Sequence, residues 1–151
     1  MSGHVVTVSA NGVRMPVAGA RLAALAASVL RAEHVARAEI SVTCVLPREM
    51  ARLNRTHLGH SGPTDVITFA LGRRADGVLE ADVYLCPAVA REQAGAHGVG
   101  VREEMARLVV HAMLHACGWD HPEDAGRTTS PMWRRQERHL RRFWITPSRA
   151  A

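Results

Sequence analysis

Three histidines stand at a spacing that strongly constrains how this chain can fold. His111, His115 and His121 form the pattern His-x-x-x-His-x-x-Gly-x-x-His within an apolar run. Residues four apart on an α-helix share a face and lie about 6 Å apart along its axis, so His111 and His115 can direct two imidazoles to one point. Gly118 permits the left-handed conformation that commonly ends a helix, and the turn after it can return His121 toward the pair. The sequence therefore predicts a three-histidine cluster where a helix ends.

The three nitrogen donors indicate what this cluster binds. Three protein nitrogens leave the fourth tetrahedral position of zinc to water, whose pKa then falls to about 7. The alternative is that each histidine is a core residue bonded to backbone or water. Burying three polar rings without a shared partner is costly, because each ring needs hydrogen bonds of its own. We therefore expect one zinc ion per chain, bound by these histidines and available for hydrolysis.

The residue after the first histidine argues against one class of zinc hydrolase. Zinc proteases of the His-Glu-x-x-His type carry their general base there, and this chain has Ala112 at that position. A zinc peptidase shares the histidine spacing and stays a less favoured alternative.

Length and charge set further bounds. The 151 residues suit a single domain spanning 1–151. The formal net charge is +5, and all 19 basic residues are arginine. Guanidinium groups pair well with phosphate oxygens, so the charge favours a nucleic-acid partner, although it can also reflect composition alone.

The chain is expected to be cytoplasmic. Its first residues lack the basic start and long apolar core of a secretory signal. The apolar helical segment 17–30 is short and contains Arg21, so no membrane insertion is expected. Cys44, Cys86 and Cys117 are widely separated in apolar surroundings, which favours reduced thiols with no disulfide partner.

Hydrophobic periodicity predicts an α+β fold. Strands are predicted at about 4–8, 39–46, 63–71 and 78–86, and helices at about 17–34, 47–57, 87–97, 101–117 and 131–143. A polar loop containing Asp76-Gly77 separates the third and fourth strands, which favours a hairpin. We expect a four-stranded mixed β-sheet packed with about five α-helices, with the metal site at the C-terminal half of a buried helix.

Several segments carry a resemblance to a known family. Residues 111–121 read His-Ala-Met-Leu-His-Ala-Cys-Gly-Trp-Asp-His, residues 63–69 read Pro-Thr-Asp-Val-Ile-Thr-Phe after an upstream Leu-Asn, and residues 81–86 read Ala-Asp-Val-Tyr-Leu-Cys. Together with Gln93-Ala94, these segments resemble the YbeY family of bacterial endoribonucleases, over most of the chain.

The resemblance implies a zinc-dependent endoribonuclease specific for single-stranded RNA. It implies action in maturation of the 3′ end of small-subunit ribosomal RNA and in ribosome quality control, with ribosomal RNA and the small ribosomal subunit as partners. His111, His115 and His121 match the family's metal ligands. Most members have an arginine, thought important for activity, where this chain has Leu58. Arg55 or His60 can supply a positive group nearby.

Two carboxylates and two further arginines complete the candidates. Asp65 and Asp82 are candidate catalytic residues, either as a base or as partners that orient a ligand imidazole; Asp65 can equally be a cap where a strand begins. Arg134 and Arg138 on the last helix are candidates for gripping the RNA backbone, and a solvated helix face is the alternative. A zinc-stabilised RNA-binding or ribosome-binding factor without turnover remains the alternative function.

Overall fold

The chain alternates strands and helices around one sheet. In a computed structural model that describes residues 3–122 and 125–145, the strands are β1 (Gly3–Ala10), β2 (Arg37–Cys44), β3 (Val66–Arg73) and β4 (Leu79–Leu85). The helices are α1 (Gly19–Ala32), α2 (Pro47–Leu53), α3 (Pro87–His97), α4 (Val101–Ala116) and α5 (Pro131–Leu140). Short π-helical turns extend α2 over Asn54–Leu58 and α5 over Arg141–Ile145, and a 3₁₀ helix covers Ala125–Thr129.

The sheet is mixed, as predicted. Its strand order is β1-β2-β4-β3. β1 and β2 are parallel, β2 and β4 are parallel, and β3 pairs antiparallel with β4. The predicted α+β fold, with four strands, five helices and a hairpin of the last two strands, is confirmed.

One face of the sheet packs on α1 and α4 to form the main core. Alternate residues of β4, namely Ala81, Val83 and Leu85, are buried in this core, as side-chain alternation along a strand requires. Every residue of α4 from Leu108 to Leu114 is buried. α4 is therefore the central helix of the core, and packing on all sides fixes the residues that it carries.

A smaller cluster lies on the opposite face, where α2 covers the end of the β3–β4 hairpin. Its buried members are Val45, Met50, Leu53, Ile67 and Cys86. This packing holds α2 and its π-helical turn beside β3. A groove forms between this region and the C-terminal end of α4.

The predicted element bounds differ from the structure by a few residues. α1 begins at Gly19 rather than at 17, because Ala18 has an extended backbone conformation. β3 begins at Val66 rather than at 63. The Asp65 carboxylate accepts a hydrogen bond from the Val66 amide at 2.8 Å, so Asp65 stands at the strand entrance.

The cysteines carry free thiols in the structure. Cys44 and Cys86 are buried, and Cys117 is half-buried. Burial raises the pKa of the Cys44 thiol and of the Cys117 thiol to about 11, which keeps both protonated at neutral pH. Over residues 3–122 and 125–145, every helix falls short of the length and apolarity that a bilayer span requires.

Candidate metal centre

The end of α4 creates the histidine cluster. Gly118 has φ +100°, which a residue without a Cβ adopts readily. Its amide donates to the His115 carbonyl at 3.0 Å, and the Trp119 amide donates to the Leu114 carbonyl at 3.0 Å. These two bonds form a Schellman motif, which ends the helix and reverses the chain. The reversal places His121 beside the two histidines of α4.

The three predicted histidines lie together. Their ring centroids are separated by 4.6 Å (His111–His115), 4.9 Å (His111–His121) and 5.0 Å (His115–His121). One nitrogen of each ring lies within 4.8 Å of the others. Spacings of this size are compatible with three bonds of about 2 Å to one central ion.

Hydrogen bonds on the outer nitrogens set the tautomer of each ring. His111 Nδ1 donates to Gln136 Oε1 at 2.6 Å, His115 Nδ1 to the Trp119 carbonyl at 2.9 Å, and His121 Nδ1 to the Pro122 carbonyl at 2.8 Å. An amide or carbonyl oxygen only accepts, so each Nδ1 carries the hydrogen. Each Nε2 therefore presents a lone pair, as a metal ligand must.

The donor set fits a metal ion. His111 Nε2 and His121 Nε2 are 3.3 Å apart, and with both hydrogens on Nδ1 this pair brings two lone pairs together, which a shared cation would stabilise. Burial lowers the pKa of His111 to about 3, and burial also lowers the pKa of His115. Both rings are therefore neutral near pH 7, the form that binds metals. The three-histidine group can hold a metal ion.

The cluster opens into a groove of about 400 Å³. β3 forms one wall through Val66, Thr68 and Ala70, and the segment after α2 contributes Asn54, Leu58 and His60. Asp65 and Arg127 line it as well. The groove therefore offers access to the cluster from solvent, with polar groups on several sides.

The structure separates the two candidate carboxylates. Asp65 lines the histidine groove, and one of its carboxylate oxygens is held by the Val66 amide and by Thr64 Oγ1 at 3.3 Å. Asp82 alternates with the core-facing residues of β4 and accepts a hydrogen bond from Ser41 Oγ at 2.8 Å. It lines a depression on the sheet face away from α4. The structure does not bring Asp82 to the histidines.

The candidate basic residues lie on different parts of the surface. His60 lines the groove, and so does Leu58. Arg55 is exposed on the π-helical turn without lining the groove. Arg134 and Arg138 are exposed on the outer side of α5 and line a shallow depression there. Of the four basic candidates, His60 alone lines the groove.

Arg127 is a candidate residue that the sequence did not single out. Its carbonyl accepts hydrogen bonds from the Ser130 amide at 3.3 Å and from Ser130 Oγ at 2.8 Å. Ser130 Oγ in turn accepts from the Trp133 amide at the start of α5. Among the described residues, the buried Arg127 Nε has no hydrogen-bond partner. A Ser-Pro pair signals the start of α5, but it does not indicate that the preceding arginine lines the groove.

A second set of missed residues supports the turn that carries the cluster. Glu33, the C-cap residue of α1, accepts hydrogen bonds from Trp119 Nε1 at 3.1 Å, Arg135 Nε at 2.6 Å and His139 Nε2 at 2.7 Å. Arg135 also lies 4.8 Å from the centre of the Trp119 ring. Trp119 provides the carbonyl that orients His115. Glu33 therefore connects α1 and α5 to the backbone around the histidine cluster.

Fold and site together define an α+β protein whose candidate active site can hold a metal ion. The chain belongs to the Endoribonuclease YbeY family, whose sequence profile matches residues 11–144. The resemblance found in the sequence is thereby confirmed.

Individual relatives agree with this assignment. The chain is 40% identical over 144 residues to the endoribonuclease YbeY of Frankia alni, covering 87% of this chain and 77% of that protein. It is 41% identical over 115 residues to the endoribonuclease YbeY of Frankia casuarinae, covering 68% of this chain and 57% of that protein. A solution structure of a Thermotoga maritima protein has a TM-score of 0.58 at 24% identity, covering 91% of this chain and 87% of that one. This last similarity supports the fold.

Proposed function

We propose that the protein is a zinc-dependent endoribonuclease that cleaves single-stranded RNA. We place its action in the cytoplasm, in maturation of the 3′ end of small-subunit ribosomal RNA and in ribosome quality control. The observation that carries the proposal is the convergence of His111, His115 and His121, each with its Nδ1 hydrogen engaged elsewhere. Membership of a family of endoribonucleases supplies the substrate class.

The histidines act as neutral, pre-oriented ligands. A bound zinc ion supplies Lewis-acid stabilisation of a phosphodiester oxygen and lowers the pKa of a water molecule. Gln136 and the carbonyls of Trp119 and Pro122 hold the three rings in the ligating tautomer. The chain's own contribution is thus to hold the three rings in a fixed orientation.

Arg127 is our candidate for binding the scissile phosphate. It lines the same groove as the three histidines, and no ion pair within the described residues neutralises its guanidinium. Guanidinium groups donate in pairs to phosphate oxygens and stabilise charge that develops on them. Arg127 can therefore serve where most relatives use the arginine replaced here by Leu58, with His60 as a second polar group at the groove.

Asp65 is our candidate for accepting a proton from the attacking oxygen. It lines the groove, and the Val66 amide fixes its position. An Asp65→Asn variant tests this role, since the amide keeps the shape and cannot accept the proton as a carboxylate does.

The test is a cleavage assay on a single-stranded RNA that carries the 3′ end of small-subunit ribosomal RNA. Zinc-loaded protein should cut it, and a chelator should stop the cutting. His115→Ala should lose stoichiometric zinc, measured by plasma emission, together with cleavage. His57→Ala, which removes an exposed imidazole outside the groove, should keep both. Unchanged zinc content in His115→Ala would reject the metal assignment.

One alternative follows from a specific residue. Leu58 lines the groove with an exposed fraction of 48% and provides no charge for phosphate. A zinc-stabilised RNA-binding or ribosome-binding factor without turnover would bind the same RNA and show no metal-dependent cutting. RNA binding by zinc-loaded protein combined with no cleavage under any condition would favour this alternative. A zinc peptidase is disfavoured because Ala112, at the position of the protease base, is a buried alanine.

A further inference from the structure

A second cavity adjoins the histidine groove. It has a volume of about 270 Å³ and shares Asp65, His111 and Arg127 with the groove. These shared residues form the boundary between the two spaces. A linear polymer bound across the histidines can therefore extend one of its groups past Arg127 into this cavity.

The size of the cavity limits its occupant. Pockets for drug-sized ligands begin at roughly 300 Å³, and this cavity is slightly smaller at about 270 Å³. A volume of this size accommodates a single ring system. The cavity is therefore suited to one ring-sized group.

The acidic groups around the cavity disfavour a second anion. Arg107 lines it, but its guanidinium pairs with Glu103 at 3.1 Å, Glu104 at 3.3 Å and Glu137 at 2.9 Å. The Glu104 side chain, only 4% exposed, is also part of the lining. With the Arg107 charge compensated and a carboxylate buried in the wall, a second phosphate would be repelled. A neutral ring is accepted more readily.

Trp133 gives the cavity an aromatic wall. Other tryptophans of the chain already have a cation over the ring, with Arg135 4.8 Å from Trp119 and Arg21 4.4 Å from Trp144. Over the described residues, no aromatic ring or guanidinium packs on Trp133. Unpaired bases of RNA commonly stack on such rings.

Two polar side chains in the lining can contact the edge of a ring. Gln93 and Thr128 line the cavity, and neither has a side-chain hydrogen-bond partner within the described part of the chain. An amide both donates and accepts, and so does a hydroxyl. Together with Trp133, these side chains offer one stacking surface and hydrogen bonds at its edge.

We propose that this cavity binds one unpaired nucleobase of the substrate RNA, adjacent to the phosphate held at the histidines. The inference rests on the proposed function and adds a physical reason for preferring single strands. A base within a duplex must leave its stack and its partner before it can enter such a cavity, which costs free energy. An already unpaired base avoids most of this cost.

The experiment tests whether the Trp133 side chain and one base of the RNA contact each other, by removing each alone and both together. Short single-stranded RNAs each carry one abasic nucleotide, moved stepwise across the cleaved bond. Zinc-loaded wild-type protein should lose roughly 5-fold or more in kcat/KM at one position next to that bond, as expected for one lost stacking contact. Trp133→Leu should lose a similar factor on intact RNA and lose nothing further on that abasic RNA. Trp133→Phe, which keeps an aromatic ring, should recover most of the loss.

Trp144→Leu is the matched control, because Trp144 packs beside Arg21 and lines no part of the cavity. It should keep the wild-type sensitivity to the abasic position. Affinities for the same RNAs, measured by fluorescence anisotropy with chelator present, give a second readout that needs no cleavage.

The outcomes separate the two proposals. Cleavage that is zinc-dependent but equally fast on every abasic RNA would overturn the base-binding cavity and leave the nuclease intact. Equal penalties in wild type and Trp133→Leu at the sensitive position would overturn it as well. No cleavage at all, combined with an abasic penalty in affinity that Trp133→Leu abolishes, would reject the nuclease and support the cavity.

Discussion

His111 Nδ1 donates a 2.6 Å hydrogen bond to Gln136 Oε1 across 25 residues of sequence. The amide is itself oriented, since Gln136 Nε2 donates to Glu137 Oε2 at 3.0 Å. Only 1% of Gln136 is exposed. A buried side chain of α5 thus determines which nitrogen of a candidate metal ligand carries hydrogen.

Replacing Gln136 should weaken metal binding without removing a ligand. In Gln136→Leu, His111 loses the acceptor that holds its ring, and zinc affinity should fall by roughly 10-fold to 100-fold. Gln136→Glu keeps an acceptor oxygen and should bind zinc nearly as wild type does. Competition with a chromophoric chelator measures both affinities. Equal affinity in the Leu variant and wild type would show that the hydrogen bond does not orient the ligand.

Zinc should stabilise the folded protein. A ligand at 100 times its Kd adds about 2.7 kcal/mol to the free energy of unfolding. For a domain of this size, each kcal/mol corresponds to roughly 2–4 °C, so Tm should rise by about 5–10 °C. Differential scanning fluorimetry with and without zinc gives the shift. His121→Ala should lose most of it, and His57→Ala should keep it; a full shift in His121→Ala would remove His121 from the ligand set.

Local patterns in the sequence explain why much of the fold could be predicted. The period-two alternation around Ile40 and Val42 marks a strand with one buried face, and both side chains are in the core. The histidine spacing and Gly118 together contain the information for the cluster, because helix periodicity and a left-handed cap act over a few residues. The register and order of the strands have no such local signal, since they depend on packing between distant segments.

Supporting residues of the site escaped prediction for the same reason. Gln136 and Glu33 act on the cluster across long separations in sequence. The buried face of α5 does contain a usable signal, because Met132, Gln136, His139 and Leu140 recur at helical spacing and place a polar amide among core residues. Asp82 looked equivalent to Asp65 in sequence, and only the strand's alternation assigns it to the other face of the sheet.

Glu33 should make stability depend on acid pH. Burial acts to raise the pKa of its carboxyl, but hydrogen bonds from Arg135, His139 and Trp119 outweigh it and hold the pKa below the ordinary value. A lowered pKa in the folded state stabilises the protein above the unfolded value of about 4.3, and this stabilisation is lost as pH falls through the folded value. Glu33→Gln should therefore be less stable than wild type at pH 7, by about 1–3 kcal/mol.

Urea denaturation of both proteins at a series of pH values measures this difference. The difference in the free energy of unfolding between wild type and Glu33→Gln should be largest near neutral pH and should shrink steadily below pH 4. The other carboxyl groups are common to both proteins, so their contributions cancel in the comparison. A difference that stays constant down to the lowest pH measured would show that the Glu33 charge contributes nothing to stability.

Arg134 and Arg138 should contribute to RNA binding through charge alone. Both are exposed on α5, one helical turn apart, and they line a depression together with Thr128 and Trp133, which also line the proposed base cavity. If each contacts one phosphate of a single strand, the Arg134→Gln/Arg138→Gln double variant should show a slope of log K against log salt that is smaller in magnitude by about 1.4.

The control is the double variant Arg31→Gln/Arg48→Gln. It changes the net charge equally at exposed positions outside this depression and should leave the slope unchanged. Affinity measured by anisotropy between low and moderate salt gives these slopes, and identical slopes for the two double variants would assign Arg134 and Arg138 to a solvated helix face.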